Sequence, residues 1–293
     1  MATLRELKGR IGSVASSEKI TGAMKMISSA KMHKAEMSLR QLQPFRSQIE
    51  GIIGHLLSTD AEFSSPLIEA RDVHHITIVV WGSDDGLCGA YNVNIYKQLV
   101  DILDKYRRDG SKRITIIPVG KKMYKIVSKL KLQGVHVDRI EGIDSKSTGE
   151  DVNNFVRTLT ERFLTGATDR VDVLYMHFKS AGRQVPTHEM LLPLESETFS
   201  ANGVVESNRP YIFEPDANTI FNSVLPMFLQ SLGHDVFTEN RASEQAARIM
   251  AMQSANDNAK KLLEQPQLEY NKLRQQSITT ELLDILGGQV KST

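Results

Sequence analysis

The apolar residues of the first 57 positions lie on a stripe too narrow to face a globular core. Leu4, Leu7, Ile11 and Val14 keep a three-four spacing, and Met24 and Ile27 continue it after an interruption at Glu18. Met32, Ala35, Leu39 and Leu42 resume it, followed by Ile49, Ile52, Ile53 and Leu56. That period is helical, and its drift marks a coiled-coil seam. One helix over residues 3–57 would run about 80 Å at ~1.5 Å per residue, far longer than a compact domain needs. Within it, KITGAMKMISSAKMHKAEM (19–37) carries methionine, lysine and small residues, with almost no Leu or Ile bulk. Methionine offers a soft contact of low specificity, and lysine keeps its charge in water. Residues 1–57 hold nine Lys/Arg against four Glu, a net +5 in a chain whose total is +1. The near-neutral total gives no pointer to nucleic acid, whereas the local excess suits an acidic partner or a solvated face.

The same texture returns at the other end. From Pro215 a helical pattern begins with a heavy apolar face at Ile220, Val224, Leu225, Phe228 and Leu232. It reverts to small residues and methionine in ASEQAARIMAMQSANDNAKKL, then continues through Leu268, Leu273, Ile278, Leu282, Ile285 and Leu286 to a glycine pair at 287–288 that predicts a stop. Between the two ends the pattern alternates. HHITIVVWG (74–82), RITIIPVG (113–120), VHVDRI, VDVLYMHF (171–178) and VPTHEMLLPL (185–194) read as strands. NVNIYKQLVDILDKYRRDG, KKMYKIVSKLKLQG and GEDVNNFVRTLTERFLTG read as helices. Strand–helix alternation with short loops predicts a Rossmann-like α/β domain over about residues 70–200, with a mainly parallel sheet covered on both faces. The fold class is therefore α/β: a coiled coil of helices over 1–58 and 210–288, bracketing that central domain.

Two long helices joined at one end by a domain can hide their stripes only by running antiparallel. If residue 57 sits beside about 215, partners have numbers summing to roughly 272. Met24 then lies near Arg248, and Pro44 almost opposite Pro226, where two prolines at one height would bend both helices together. Beyond about residue 268 the second helix has no partner left and projects alone. An unpartnered apolar stripe requires another protein around it.

Signals for chemistry are weak. WGSDDGLCGAYN follows the first strand, where nucleotide folds hold phosphate, but Gly82, Gly86 and Gly89 match neither G-x-G-x-x-G nor a Walker A loop. Cys88 could be a nucleophile at a helix start, yet no activating histidine can be located. Asp84 and Asp85 could serve as acid and base, although adjacent turn aspartates usually cap or face solvent. Eight histidines show no metal-ligand spacing. The expectation is no catalytic residue, no cofactor and no metal. A lone cysteine fits a reducing compartment, and no run approaches the ~20 apolar residues of a membrane span. The first residues lack the apolar core of a signal peptide, so the mature protein is expected to start here, in the cytosol or its equivalent. Glu244 and Arg248, four residues apart, could pair on one helix face, and Arg274, Gln275, Thr279 and Glu281 fall on the projecting part.

These stretches resemble a family along the whole chain. KITGAMKMISSAKMHKA, GSDDGLCGAYN, RPYIFEPD, SEQAARIMAMQSANDNA and YNKLRQQSITTELLDI occur in the order in which they occur in the γ subunits of F-type ATP synthases. The resemblance implies a non-catalytic rotor shaft that transmits torque between a membrane c-ring and a catalytic α/β hexamer. It implies an α/β foot that meets the c-ring and the ε subunit, and a peripheral place on the cytoplasmic face of a bacterial plasma (inner) membrane. Carried over residue by residue, it makes Met24, Glu244, Arg248, Arg274, Gln275, Thr279 and Glu281 contacts with the hexamer. Tyr211 and Glu214 become foot contacts with the c-ring and ε. Asp85 stands where the family often has Arg. Pro266 falls inside the family's continuous helix, and the expectation is a bend or break between residues 262 and 267. The competing classes are a nucleotide-utilising Rossmann-like enzyme with helical dimerisation arms, and a structural coiled-coil adaptor.

Overall fold

The computed structural model describes residues 3–57, 63–108, 110, 113–195 and 213–290; of residues 284 and 286–290 only the helical backbone is described. Helix α1 spans Leu4–Leu57 and is followed by β1 (His75–Trp81), α2 (Tyr91–Arg108), β2 (Arg113–Val119) and α3 (Lys121–Val127). Then come β3 (Val135–Val137), α4 (Gly149–Leu164), β4 (Arg170–Ser180), β5 (Arg183–Leu192) and a final helix, α5 (Ala217–Val290). Contacts divide the chain into two compact units, Ala30–Ala247, and Met1–Ser29 with Arg248–Thr293.

In the larger unit the sheet order is β3-β2-β1-β4-β5. The first four strands are parallel, and β5 returns antiparallel to β4 across a turn at residues 181–182. The β-branched sequences of β1 and β2 suit strands buried on both faces, and all residues after the first in each are buried. Alternation sends Ile76, Ile78 and Val80 to one face, under α2 and α3, with Leu99, Leu103 and Met123. It sends Val79 and Trp81 to the other, with Ile53 and Leu56 of α1, Phe155 and Phe163 of α4, and Phe221 and Phe228 of α5. The two helices at the chain ends thus supply much of one wall of the α/β domain. Thr148 and Asp151 form a reciprocal capping box that starts α4. Prolines sit where ladder bonds are dispensable: Pro186 on the edge strand β5, and Pro118 beyond the end of three-residue β3.

Several expectations are corrected. The helix after β2 ends at Val127 rather than near 134, closed by tight turns from Lys129 to Ile126 and from Leu130 to Val127. Leu130 and Leu132 both pack on the same cluster, and residues two apart do not share a helix face. The third strand stops at Val137, because Asp138 turns to pair with Arg162 of α4 at 2.8 Å. Helix α5 continues through the glycine pair to Val290, a glycine in a helix being a cost of roughly 1 kcal/mol and no obligatory stop. It also runs unbroken through Pro266 as one 74-residue element. The ring of Pro266 is buried, and that burial offsets part of the lost hydrogen bond.

The helix pairing is offset from the expected one. In the larger unit Leu57 and Phe221 line one cleft, so the end of α1 lies beside residue 221 rather than 215. Arg46 accordingly reaches Asp235 at 2.6 Å instead of residue 226, and Pro44 and Pro226 are not at one height. In the smaller unit Asn256 donates to the Glu18 carbonyl at 2.8 Å and faces the Thr21 hydroxyl at 3.3 Å, two to five residues beyond the expected partner.

Candidate interaction surfaces

The turn after β1 is the place where a catalytic or phosphate site would form, and its polar groups are already engaged. Asp84 is buried and accepts the backbone N–H of Lys121 at 2.8 Å and of Ser145 at 2.7 Å. Burial alone would raise its carboxyl, but hydrogen bonds from Ser145 and Lys121 outweigh it and hold the group below the usual carboxylate range. These are N–H groups of the kind a phosphate would need, and a fixed anion occupies them. Asp85 is exposed and pairs with Lys146 at 3.2 Å, an acid–base contact on the surface. Gly120, at φ 96°, closes the same corner: a Cβ there would come within 2.8 Å of the Ser83 carbonyl oxygen. A cleft of about 490 Å³ beside Asp84 is walled by Lys121, Arg139, Glu141, Asp144 and Lys146, of mixed sign. Cys88 is buried, its thiol 3.7 Å from Ser83 Oγ and from Asn92 Nδ2. No group of His, Cys, Asp and Glu among the described residues could hold a metal ion.

A polar seam fastens α5 to the sheet within the larger unit. Tyr91 donates to Asn240 Oδ1 at 2.6 Å, Asn240 Nδ2 donates to the Gly82 carbonyl at 3.2 Å, and Ser243 donates to the Met176 carbonyl at 2.8 Å. Beside it, His177 binds Glu239, and Arg46 spans Glu50 at 2.7 Å and Asp235 at 2.6 Å. Burial pushes the carboxyls of Asp235 and Glu239 up, against the opposing pull of Arg46 and His177. None of these seam residues was singled out from the sequence. The available signal was Asp235, Glu239 and Asn240 recurring on an otherwise apolar helix face.

The residues expected to meet a partner are scattered in exposure. Glu244 and Arg248 are buried, at 2% and 5% exposure, rather than forming a solvated pair. Met24 is half-buried. Arg274, Gln275, Thr279 and Glu281 are exposed on α5, with the Thr279 hydroxyl turned back to the Gln275 carbonyl at 2.9 Å. Apolar residues around them are exposed too: Leu268 at 71%, Leu282 at 56%, Leu283 at 62% and Ile285 at 62%. Such a face on a stable helix needs a covering partner. Glu214 is exposed just before α5, and Tyr211 lies outside the described residues. In the smaller unit Leu7, Met252 and Leu263 are buried, whereas around Gly22 the helices touch through little bulk. A Cβ at Gly22 would lie 3.4 Å from Asn256, Ser28 is buried, and Met26 and Met250 are exposed. No helix is long and apolar enough to cross a membrane, among the described residues.

Comparison with known proteins agrees along the full length. Residues 3–290 match the family described as ATP synthase. The chain is 40% identical over 292 residues to the ATP synthase gamma chain of Phocaeicola vulgatus, covering 99% of this chain and all of that one. It is 40% identical over 294 residues to the gamma chain of Parabacteroides distasonis, with both chains fully covered. Among solved structures it resembles a chain of the OSCP/F1/c-ring part of the Euglena gracilis mitochondrial ATP synthase, with TM-score 0.64, 22% identity, and coverage of 98% and 93%. A chain of the rotor of that synthase gives TM-score 0.60 at 21% identity, with coverage of 94% and 98%. At that identity the likeness speaks for the fold.

Proposed function

We propose that this chain, which belongs to the ATP synthase gamma-chain family, is the non-catalytic rotor subunit of a proton-translocating F-type ATP synthase. The observation that carries the reading is the full-length relationship to gamma chains together with helices of 54 and 74 residues, the longer ending in an exposed apolar face. That face would turn inside the hexamer of α and β subunits, with Arg274, Gln275, Thr279, Glu281 and Met24 meeting its loops. Glu244 and Arg248 would act from inside, shaping the helix that the loops touch. The α/β unit would be the foot on the c-ring and ε, with Glu214 and Tyr211 at that contact, on the cytoplasmic face of the bacterial plasma membrane.

A slim shaft that never locks to one subunit needs small residues and soft contacts, and the 19–37 segment has both. The engaged donors around Asp84 support the absence of catalysis in the chain itself. The test is association and turnover. Co-purification with α, β, ε and c subunits, with no ATP hydrolysis by the isolated chain, is the expected result. Hydrolysis by the isolated chain that is lost on changing Gly86 or Gly89 would overturn it.

A further inference from the structure

The sheet edge where the parallel strands begin carries an unbalanced positive charge. Residues 104–113 and 128–136 hold seven Lys/Arg against two Asp, and Asp169 lies at the start of β4 beside them, in a chain whose total charge is +1. Lys105, Arg107 and Arg108 form the last turn of α2, Arg113 opens β2, and Lys129 and Lys131 lie in the turn before β3. The topology brings them to one edge. Strands β1, β2 and β3 are parallel, Arg113 N–H donates to the His74 carbonyl at 2.9 Å, and Ile114 N–H donates to the Gly134 carbonyl at 3.0 Å. All six side chains are exposed, and none takes part in an ion pair among the described residues. Compensation of the helix dipole would account for the three cations ending α2, but not for Arg113, Lys129 and Lys131. The same edge is where both long helices terminate, because Leu57 and Phe221 line a cleft with Val73 and Arg170 at the strand starts.

We propose that this basic edge docks on anionic phospholipid headgroups beside the rotor's membrane contact. The inference rests on the rotor reading, which turns the end of α1 and the start of α5 toward the membrane. The cations come from three separate segments, each side chain free in solvent, and none lines a cavity among those described. That arrangement suits a diffuse, averaged attraction to a charged surface, as clusters of four to eight Lys/Arg give, rather than a keyed peptide pocket. Such attraction falls off within a Debye length and is suppressed by salt.

The test uses the assembled synthase, reconstituted in vesicles of phosphatidylcholine with or without roughly a third phosphatidylglycerol. A photoreactive headgroup is carried on one lipid or the other. The expected labelling of peptides 105–113 and 128–132 is at least about tenfold stronger from phosphatidylglycerol, and lost at about 1 M salt. A variant carrying Lys105→Glu, Arg108→Glu and Lys129→Glu should lose the label while still co-purifying with the α and β subunits. Equal labelling by both lipids, label retained in that variant, or crosslinking of these peptides to another subunit in place of lipid would overturn the proposal. Failure of the wild-type chain to co-purify would instead refute the rotor reading beneath it.

Discussion

Gly233→Ala measures how closely α5 lies on α4. A Cβ at Gly233 would come 2.4 Å from Val156 Cγ2, 3.7 Å from Val156 Cβ and 3.9 Å from Val152 Cγ1. Carbon pairs prefer about 3.5–4.0 Å, so the first contact overlaps by more than about 1 Å. Val156 cannot swing aside, since a β-branched side chain in a helix is held to one rotamer. The void it shares with Trp81, Phe155 and Leu159 is only about 10 Å³. Relief therefore requires the helices to part, an overpacking cost of roughly 1–3 kcal/mol. Removing a helical glycine returns roughly 0.5–1 kcal/mol. The net expectation is a loss of about 1–2 kcal/mol, and a fall of about 3–6 °C in Tm by thermal or denaturant unfolding of the purified chain. Gly51 and Gly54 on α1 have nothing within 4 Å of their virtual Cβ, so alanine there should stabilise by roughly 0.5–1 kcal/mol. Gly233→Ala combined with Val156→Ala should cost less than the sum of the two single changes. If Gly233→Ala raises Tm as Gly51→Ala does, the close approach is refuted.

Three further outcomes follow from the polar seams. Asn240→Ala strands the Gly82 carbonyl in a buried site and removes one bond of the Tyr91 hydroxyl, which keeps the Asn240 backbone carbonyl at 3.0 Å, and should cost roughly 1–3 kcal/mol in denaturant midpoint analysis. Tyr91→Phe combined with it should cost less than the sum of the two single changes, because the bond from Tyr91 to Asn240 Oδ1 is lost in both. Asp235 and Glu239 are raised in the folded chain, which therefore holds their protons more tightly than the unfolded chain does. Their contribution is fully present below the ordinary carboxyl values and is lost as pH rises through the folded ones, so Glu239→Gln should flatten the fall in Tm above about pH 4.5. Asp172 runs the other way. It is fully buried against Arg170 at 2.7 Å, His188 at 2.9 Å and Tyr106, and although burial would raise it, the bond from His188 and the charge of Arg170 hold it low. Its contribution is present above the ordinary carboxyl value and lost as pH falls through the folded one. Asp172→Asn should therefore destabilise at neutral pH and lose most of that penalty in acid.

What was legible in the sequence is what periodicity encodes. The runs HITIVVW and RITIIPV could only be doubly buried strands, and the stripe from Leu4 to Leu56 could only be a helix with a partner. The offset of that pairing was not legible, because it depends on where α5 begins to pack. Phe221 and Phe228 are drawn into the domain core beside Leu56, which slides α5 past the position that chain ends alone suggest. Side-chain access was equally hidden. Glu244 and Arg248 look solvated at four-residue spacing, yet each is buried, at 2% and 5% exposure. Pro266 shows the limit of a local rule. Its missing N–H and crowded ring argue for a break, but a ring buried in the structure weighs the other way, and one lost bond among the ladder of a 74-residue helix leaves the element whole. The exposed end that carries Arg274 and Thr279 is thus an extension of the same helix, and whatever encloses that end meets one continuous element.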